Sequence, residues 1–267
     1  VSGRERYELT DETLAAGAGV TLHRIRALVD MPWASVRAGD LGGWVESKKN
    51  LSGAAWVSGA AWVSGAAWVS GAAWVSGAAW VSGDAWVSGA AWVSGDAWVY
   101  GDARVYGDAR VYGDARVSGD AQVYGDAQVY GDAWVSGAAW VSGAAWVSGA
   151  AWVSGAARVS GAARVERGDH CVTVGPVGSE CVGATLFRAD GGRHVLVVGC
   201  WTGTLDTLMD EVERRRAYWA ADTATQDRWV AQYAALHALG LATASGWEAE
   251  TSPSTPTTGD LGAGSAS

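Results

Sequence analysis

The chain has 267 residues, 49% of them apolar, and a formal net charge of −9. That balance gives no default surface for phosphate, so nucleic acid is not an expected partner, and no apolar run is long enough to span a bilayer. Three cysteines without a C-x-x-C spacing indicate free thiols in a reducing compartment rather than a disulfide framework. No secretory leader opens the given sequence, so the expected location is the cytoplasm.

In chain order, residues 7–10 and 20–28 read as two strands of a hairpin, the second alternating apolar and polar from Val20 to Leu28. A tight turn follows through Gly39, Gly42 and Gly43. Val45, Leu51 and Val57 lie six apart, so a six-residue register begins before the repeats become perfect. Lys48, Lys49 and Asn50 mark this entry. Residues 1–50 are predicted to cap an open end that would otherwise expose strand edges.

Residues 51–165 repeat one unit, most often Ser-Gly-Ala-Ala-Trp-Val, and Val returns every sixth residue from Val57 to Val165. In a strand, alternate side chains face opposite sides. Ala55 and Val57 therefore face inward and Trp56 outward. The Gly that follows supplies a corner. A Gly every six residues and β-branched Val exclude a helix. Three-residue strands make poor hairpins, which leaves a solenoid of stacked parallel strands. From the residues alone, three units per coil give a triangular prism and two give a flatter ribbon.

Beyond the repeat, residues 171–174, 182–188 and 194–201 read as strands. Thr204 is a candidate N-cap for a helix carrying Leu205, Leu208, Met209, Val212 and Trp219. A second helix carries Trp229, Val230, Tyr233, Leu236 and Leu239 and is predicted to end near Gly240. Residues 166–245 form an α+β cap, and the Ser/Thr/Pro/Gly-rich residues 246–267 a disordered tail.

Val57-Ser58-Gly59-Ala60-Ala61-Trp62 resembles the unit of the left-handed parallel β-helix of hexapeptide-repeat proteins. The resemblance implies about six triangular coils of three units, in an all-β solenoid with small α+β caps. Residues eighteen apart then stack in three columns, each Trp-rich at both ends and Arg- or Gln-rich in the middle. Tyr7-Glu8-Leu9-Thr10-Asp11-Glu12-Thr13 and Gly39-Asp40-Leu41-Gly42-Gly43-Trp44-Val45-Glu46 are similar to the opening of a phage and prophage family, some of whose members are labelled polymer-forming. The units from Tyr100-Gly101-Asp102-Ala103-Arg104-Val105 onward match its Val-x-Gly-Asp/Asn-Ala-x repeats best. The resemblance implies a bacterial or phage-infected cell. It implies no cofactor.

Hexapeptide acyltransferases, a minor alternative, need a base beside a loop leaving the coil, and the carbonic anhydrases of this fold need three metal-binding His. The repeat has neither; His23, His170, His194 and His237 all lie in the caps. No metal site is expected. Asp169-His170-Cys171 reads as a strand edge leaving the solenoid. Asp84, Asp96, Asp102, Asp108, Asp114, Asp120, Asp126 and Asp132 follow corner glycines, with Arg104, Arg110 and Arg116 expected near enough to balance them. The expected working surface is the outward Trp56, Trp62, Trp68, Trp74, Trp80, Trp86, Trp92, Trp98, Trp134, Trp140, Trp146 and Trp152. It suits a non-enzymatic structural rod that associates with its own copies, or alternatively a binding module for a protein, glycan or small molecule.

Overall fold

Between residues 57 and 165 every inward position is Val or Ala, and all are at most 1% exposed. The computed structural model describes residues 5–17 and 19–248. In it, strands β4 to β22 are the successive two-residue segments from Trp56–Val57 to Arg164–Val165. Each pairs in parallel with the segment eighteen residues away, as in Trp56↔Trp74 and Val93↔Val111. The eighteen-residue register decides for three units per coil, and the three faces are three separate sheets. Trp44 pairs with Trp62, and Leu51 bridges Val69, so two further units join the stack. The parallel β-solenoid therefore has about seven turns rather than six, because the register begins before the perfect repeats do.

Two methyl-bearing residue types fill the interior because each coil offers only shallow inward space from each face. The corners impose a second constraint. Corner glycines from Gly53 to Gly161 adopt φ between +56° and +74°, the left-handed region. They also stack backbone on backbone: a Cβ at Gly77 would lie 2.9 Å from the N and O of Gly95. Amides such as Ala60 N donate across coils at these corners, to Gly77 O at 2.8 Å.

The N-terminal end is closed by β1 (Tyr7–Ala15), β2 (Thr21–Ala27) and β3 (Leu41–Val45). β1 and β2 form the expected antiparallel hairpin, β2 pairs antiparallel with β3, and β3 pairs in parallel with the first solenoid strand of its face. One solenoid sheet thus runs directly into the cap. Ile25 and Met31 seal the interior. A Cβ at Gly42 would stand 2.5 Å from Val57 O and 2.7 Å from the Trp56 ring, so glycine permits this close approach. Asn50 is buried and completes the first turn. Its Nδ2 donates to Gly65 O and Ala67 O at 3.1 and 2.8 Å, and its Oδ1 accepts from Ser47 N at 2.8 Å. The side chain occupies carbonyls that would otherwise face an open edge.

The C-terminal end carries the antiparallel sheet β23 (Cys171–Val177), β24 (Val182–Arg188), β25 (His194–Val198) and β26 (Trp201–Gly203). The single strand expected over 194–201 is two strands joined through Gly199 and Cys200. Phe187, fully buried, packs into the solenoid core, and Ala163 bridges Ala189. Helix α1 (Leu205–Arg216) starts at Thr204, which forms a capping box with Thr207. Trp219 lies beyond its end and packs against Trp229 and Tyr233.

Helix α2 (Thr223–Glu248) corrects the sequence expectation: it passes through Gly240 and Gly246 instead of stopping near the first. Gly240 is not a helix stop. A Cβ there would lie 2.3 Å from Leu205 Cδ2, so the glycine lets α1 and α2 approach. Trp247, 1% exposed, anchors the final turn; its Nε1 donates to Asp169 O at 3.0 Å. The first residues assigned to the tail are therefore helix. Residues 249–267, the rest of the predicted disordered tail, lie outside the described residues.

Candidate interaction surface

In each unit Trp precedes Val, so inward Val forces the indole outward. The eight at Trp68, Trp86, Trp92, Trp98, Trp134, Trp140, Trp146 and Trp152 are exposed, at 36–56%. Trp62, Trp74 and Trp80 are half-buried. Trp56 leaves the surface altogether: it is 1% exposed, covered where the N-terminal cap crosses the first coil. Trp33 of that cap also stands edge-on to Trp74, with centroids 6.4 Å apart.

The columns are ladders. Trp68–Trp86, Trp74–Trp92 and Trp134–Trp152 stack with ring planes 6–13° apart and centroids 5.3–5.6 Å apart. Each such pair contributes about 0.5–1.5 kcal/mol beyond burial. A second interaction was missed at the sequence level. Indole N–H groups donate to the Ser hydroxyl sixteen residues earlier: Trp68 to Ser52 at 2.7 Å, Trp74 to Ser58 at 2.9 Å, Trp92 to Ser76 at 3.1 Å. Trp86 and Trp134 reach Ser70 and Ser118 at 3.3 and 3.4 Å. In the central band the pair changes chemistry but keeps its place. Tyr106 and Tyr112 donate to Gln122 and Gln128, each at 3.2 Å, and stack on Tyr124 and Tyr130. The signal was present: Ser or Tyr after one Val faces Trp or Gln before the Val of the next coil.

Arginine behaves differently from expectation. Among the described residues no ion pair joins Arg104, Arg110 or Arg116 to a corner Asp. Their guanidinium groups lie over indole faces instead: Arg104 on Trp86, Arg110 on Trp92, and Arg116 on both Trp98 and Trp134, at 5.4–6.0 Å. Arg158 covers Trp140 and Arg164 covers Trp146 at 5.2 and 4.1 Å. An exposed carboxylate partner is well hydrated and gives ~0–1 kcal/mol; the neighbouring indole lies one coil away in register and adds ~0.5–1 kcal/mol while shielding apolar area.

On the face continuous with the hairpin, the ladder changes geometry. Trp62–Trp80 and Trp80–Trp98 meet edge to face, both at 84°, with centroids 5.0 and 5.2 Å apart. A notch of about 330 Å³ opens there, lined by Ser64, Trp80, Ser82, Trp98 and Tyr100.

Elsewhere the chemistry is quiet. Among the described residues no group of three or more His, Cys, Asp or Glu is placed to hold a metal ion. The Asp169-His170-Cys171 segment is a structural anchor. The His170 ring meets Trp247 edge-on, its Nδ1 accepts from Glu166 N at 3.2 Å, and burial pushes its pKa down, helped by the Arg167 charge. Burial pushes the Cys171 thiol up to about 12, which leaves essentially no thiolate for nucleophilic chemistry. Cys181 and Cys200 are exposed. A thiol-reactive disulfide reagent at pH 8 is expected to modify these two quickly in the folded protein and the half-buried Cys171 much more slowly; equal rates at all three in the native state would contradict the raised Cys171 thiol.

The model of the YdcK beta solenoid repeat family matches residues 109–125 and 127–143. The match covers two stretches, one in the polar central band and one running from it into the Trp-rich units of Trp134 and Trp140, well under half of the chain, and is a similarity in repeat pattern. It agrees with the observed coils of a β-solenoid. No curated protein matches the chain. No helix among the described residues is long and apolar enough to cross a membrane.

Proposed function

We propose that the chain is a non-enzymatic structural rod that associates with copies of itself through its tryptophan bands. The observation that carries this reading is the eight indoles left 36–56% exposed after ladder stacking. At ~100 Å² each, they place roughly 200 Å² of indole on the face of Trp92 and Trp146 and roughly 300 Å² on each of the other two, close to the largest apolar patch on a usual monomer. Seven coils at ~4.8 Å give a face about 34 Å long and roughly 17 Å wide. Two such faces in register would bury about 1,100 Å², near the lower bound for a specific interface. The Arg and Gln band between the Trp bands would set the register.

A phage or prophage origin belongs to the same reading and rests on the similarity of the opening segments, and assembly in the cytoplasm on the free cysteines. No role for a catalytic base is part of it: the four His stand outside the coils. A binding role is the second reading, favoured by the notch where the ladder turns edge to face.

Molar mass by light scattering over a range of protein and salt concentrations tests the rod reading. The expected result is a multiple of 27.5 kDa that persists at high salt, because indole contacts are not screened. The triple substitution Trp68→Ser, Trp86→Ser and Trp140→Ser should lower that mass while circular dichroism keeps its β signal. A 27.5 kDa species at every concentration would sink the proposal.

A further inference from the structure

We propose that the notch between Trp80 and Trp98 is a binding subsite for a neutral pyranose, the six-membered ring of an uncharged glycan. This goes beyond the rod reading and does not depend on it.

The same residue types stand here as in the other Trp columns, but they are used differently. Where ladders are parallel, the indole N–H groups of Trp68, Trp74, Trp86, Trp92 and Trp134 tie down the Ser sixteen residues before them; Trp152 at the ladder's end does not. Trp80 and Trp98 should by that rule hold Ser64 and Ser82. They do not: Trp80 stands edge-on to both Trp62 and Trp98, its Nε1 is buried without a hydrogen-bond partner, and the hydroxyls of Ser64 and Ser82 make no hydrogen bond among the described residues. The edge-on arrangement therefore forgoes two internal hydrogen bonds and leaves a recess with two unengaged hydroxyls. A third, from Tyr100, lies on the rim.

The turned column is the one whose sheet continues into β3, where Arg24 lies over Trp44 at the ladder's foot, 5.5 Å from the ring. At the other end Arg116 stacks on Trp98 at 5.4 Å and closes the column with a cation. No charged side chain lines the recess itself. Its volume of about 330 Å³ falls in the range of small-molecule sites, ~300–1,000 Å³.

The chemistry selects the occupant. A pyranose presents C–H groups on its faces and hydroxyls around its edge. Crossed indoles supply one face to stack on and one wall to rest against, and Ser64, Ser82 and Tyr100 supply neutral hydroxyls that both donate and accept. An anionic sugar or a phosphate would find no cation in the lining. An aliphatic ligand would leave those hydroxyls unmatched, which costs affinity.

Calorimetric titration of the full chain with cellohexaose, chitohexaose and maltohexaose tests the assignment. At least one is expected to bind with Kd about 1 mM or tighter. Trp98→Gln should weaken that binding about tenfold or more, and the double variant Ser64→Ala, Ser82→Ala several-fold with all indoles in place. Trp152→Gln, on the same face and remote from the notch, should leave it unchanged. Absence of heat with all three saccharides at about 10 mM overturns the subsite, as does an equal loss in Trp98→Gln and Trp152→Gln, which would mean stacking on any exposed ladder. Light scattering on the same samples reports self-association separately, so failure of the rod reading and failure of the subsite are distinguishable.

Discussion

Gly77→Ala will destabilise the solenoid much more than Gly161→Ala, although the two glycines have nearly the same backbone conformation. Both lie in the left-handed region, at φ +71° and +65°, where a Cβ costs about 1–2 kcal/mol. They differ in what lies along the axis. At Gly77 the new Cβ meets Gly95 N and O at 2.9 Å, and backbone cannot swing aside as a side chain can. At Gly161 nothing lies within 4 Å. Overpacking adds about 1–3 kcal/mol, so the expected losses are about 2–5 kcal/mol for Gly77→Ala and about 1–2 for Gly161→Ala. Thermal melts would read this as roughly 2–4 °C for each kcal/mol. Equal melting temperatures for the two variants would show that φ alone, and not axial stacking, requires glycine at the corners.

Trp247→Ala is the second large effect. Its ring is among the largest fully buried side chains, its Nε1 donates to Asp169 O, and it stands edge-on to His170 at the point where the chain leaves the last coil. Truncating a buried Trp costs about 3–5 kcal/mol. The loss should be local, because coils contact only their neighbours and stability in a solenoid is nearly a sum over them. Hydrogen exchange is therefore expected to show α2 and β23 opening while the central coils stay protected. Trp152→Ala, at 56% exposure, removes far less buried surface and is expected to cost under about 1 kcal/mol. If Trp247→Ala melts like the native chain, the last turn of α2 does not hold the C-terminal cap in place.

The candidate surface was only partly legible from the residues. Every Trp in the columns could be assigned outward from its place beside Val, and Trp68, Trp86 and Trp152 are exposed as that rule requires. The same rule fails at Trp56, because the covering chain comes from residues around Gly42 that the six-residue period does not describe. It also cannot distinguish Trp80 from Trp92. Both follow Ala and precede Val, yet one indole bonds to a Ser and the other is turned edge-on.

What the sequence determined by itself is the unit of the coil: inward Val and Ala, outward Trp and glycine corners; the choice of three units per coil, and with it the three columns, came from the observed eighteen-residue register. A strict period makes each unit's neighbour a copy of itself, so local rules about strand alternation and left-handed glycine propagate without help from distant parts. What only the tertiary structure decided are the exceptions, namely the burial of Trp56, the rotation of Trp80, the preference of Arg116 for indole over carboxylate, and the run of α2 through Gly240. The burial of Trp56 and the run of α2 depend on contacts between residues that the period does not relate, such as Gly42 with Trp56 or Leu205 with Gly240, whereas Trp80 and Arg116 choose among in-register neighbours that the period supplies. Packing energy at such contacts outweighs the local preferences that composition and spacing express, since a buried indole contributes more than a glycine's ~1 kcal/mol helix penalty.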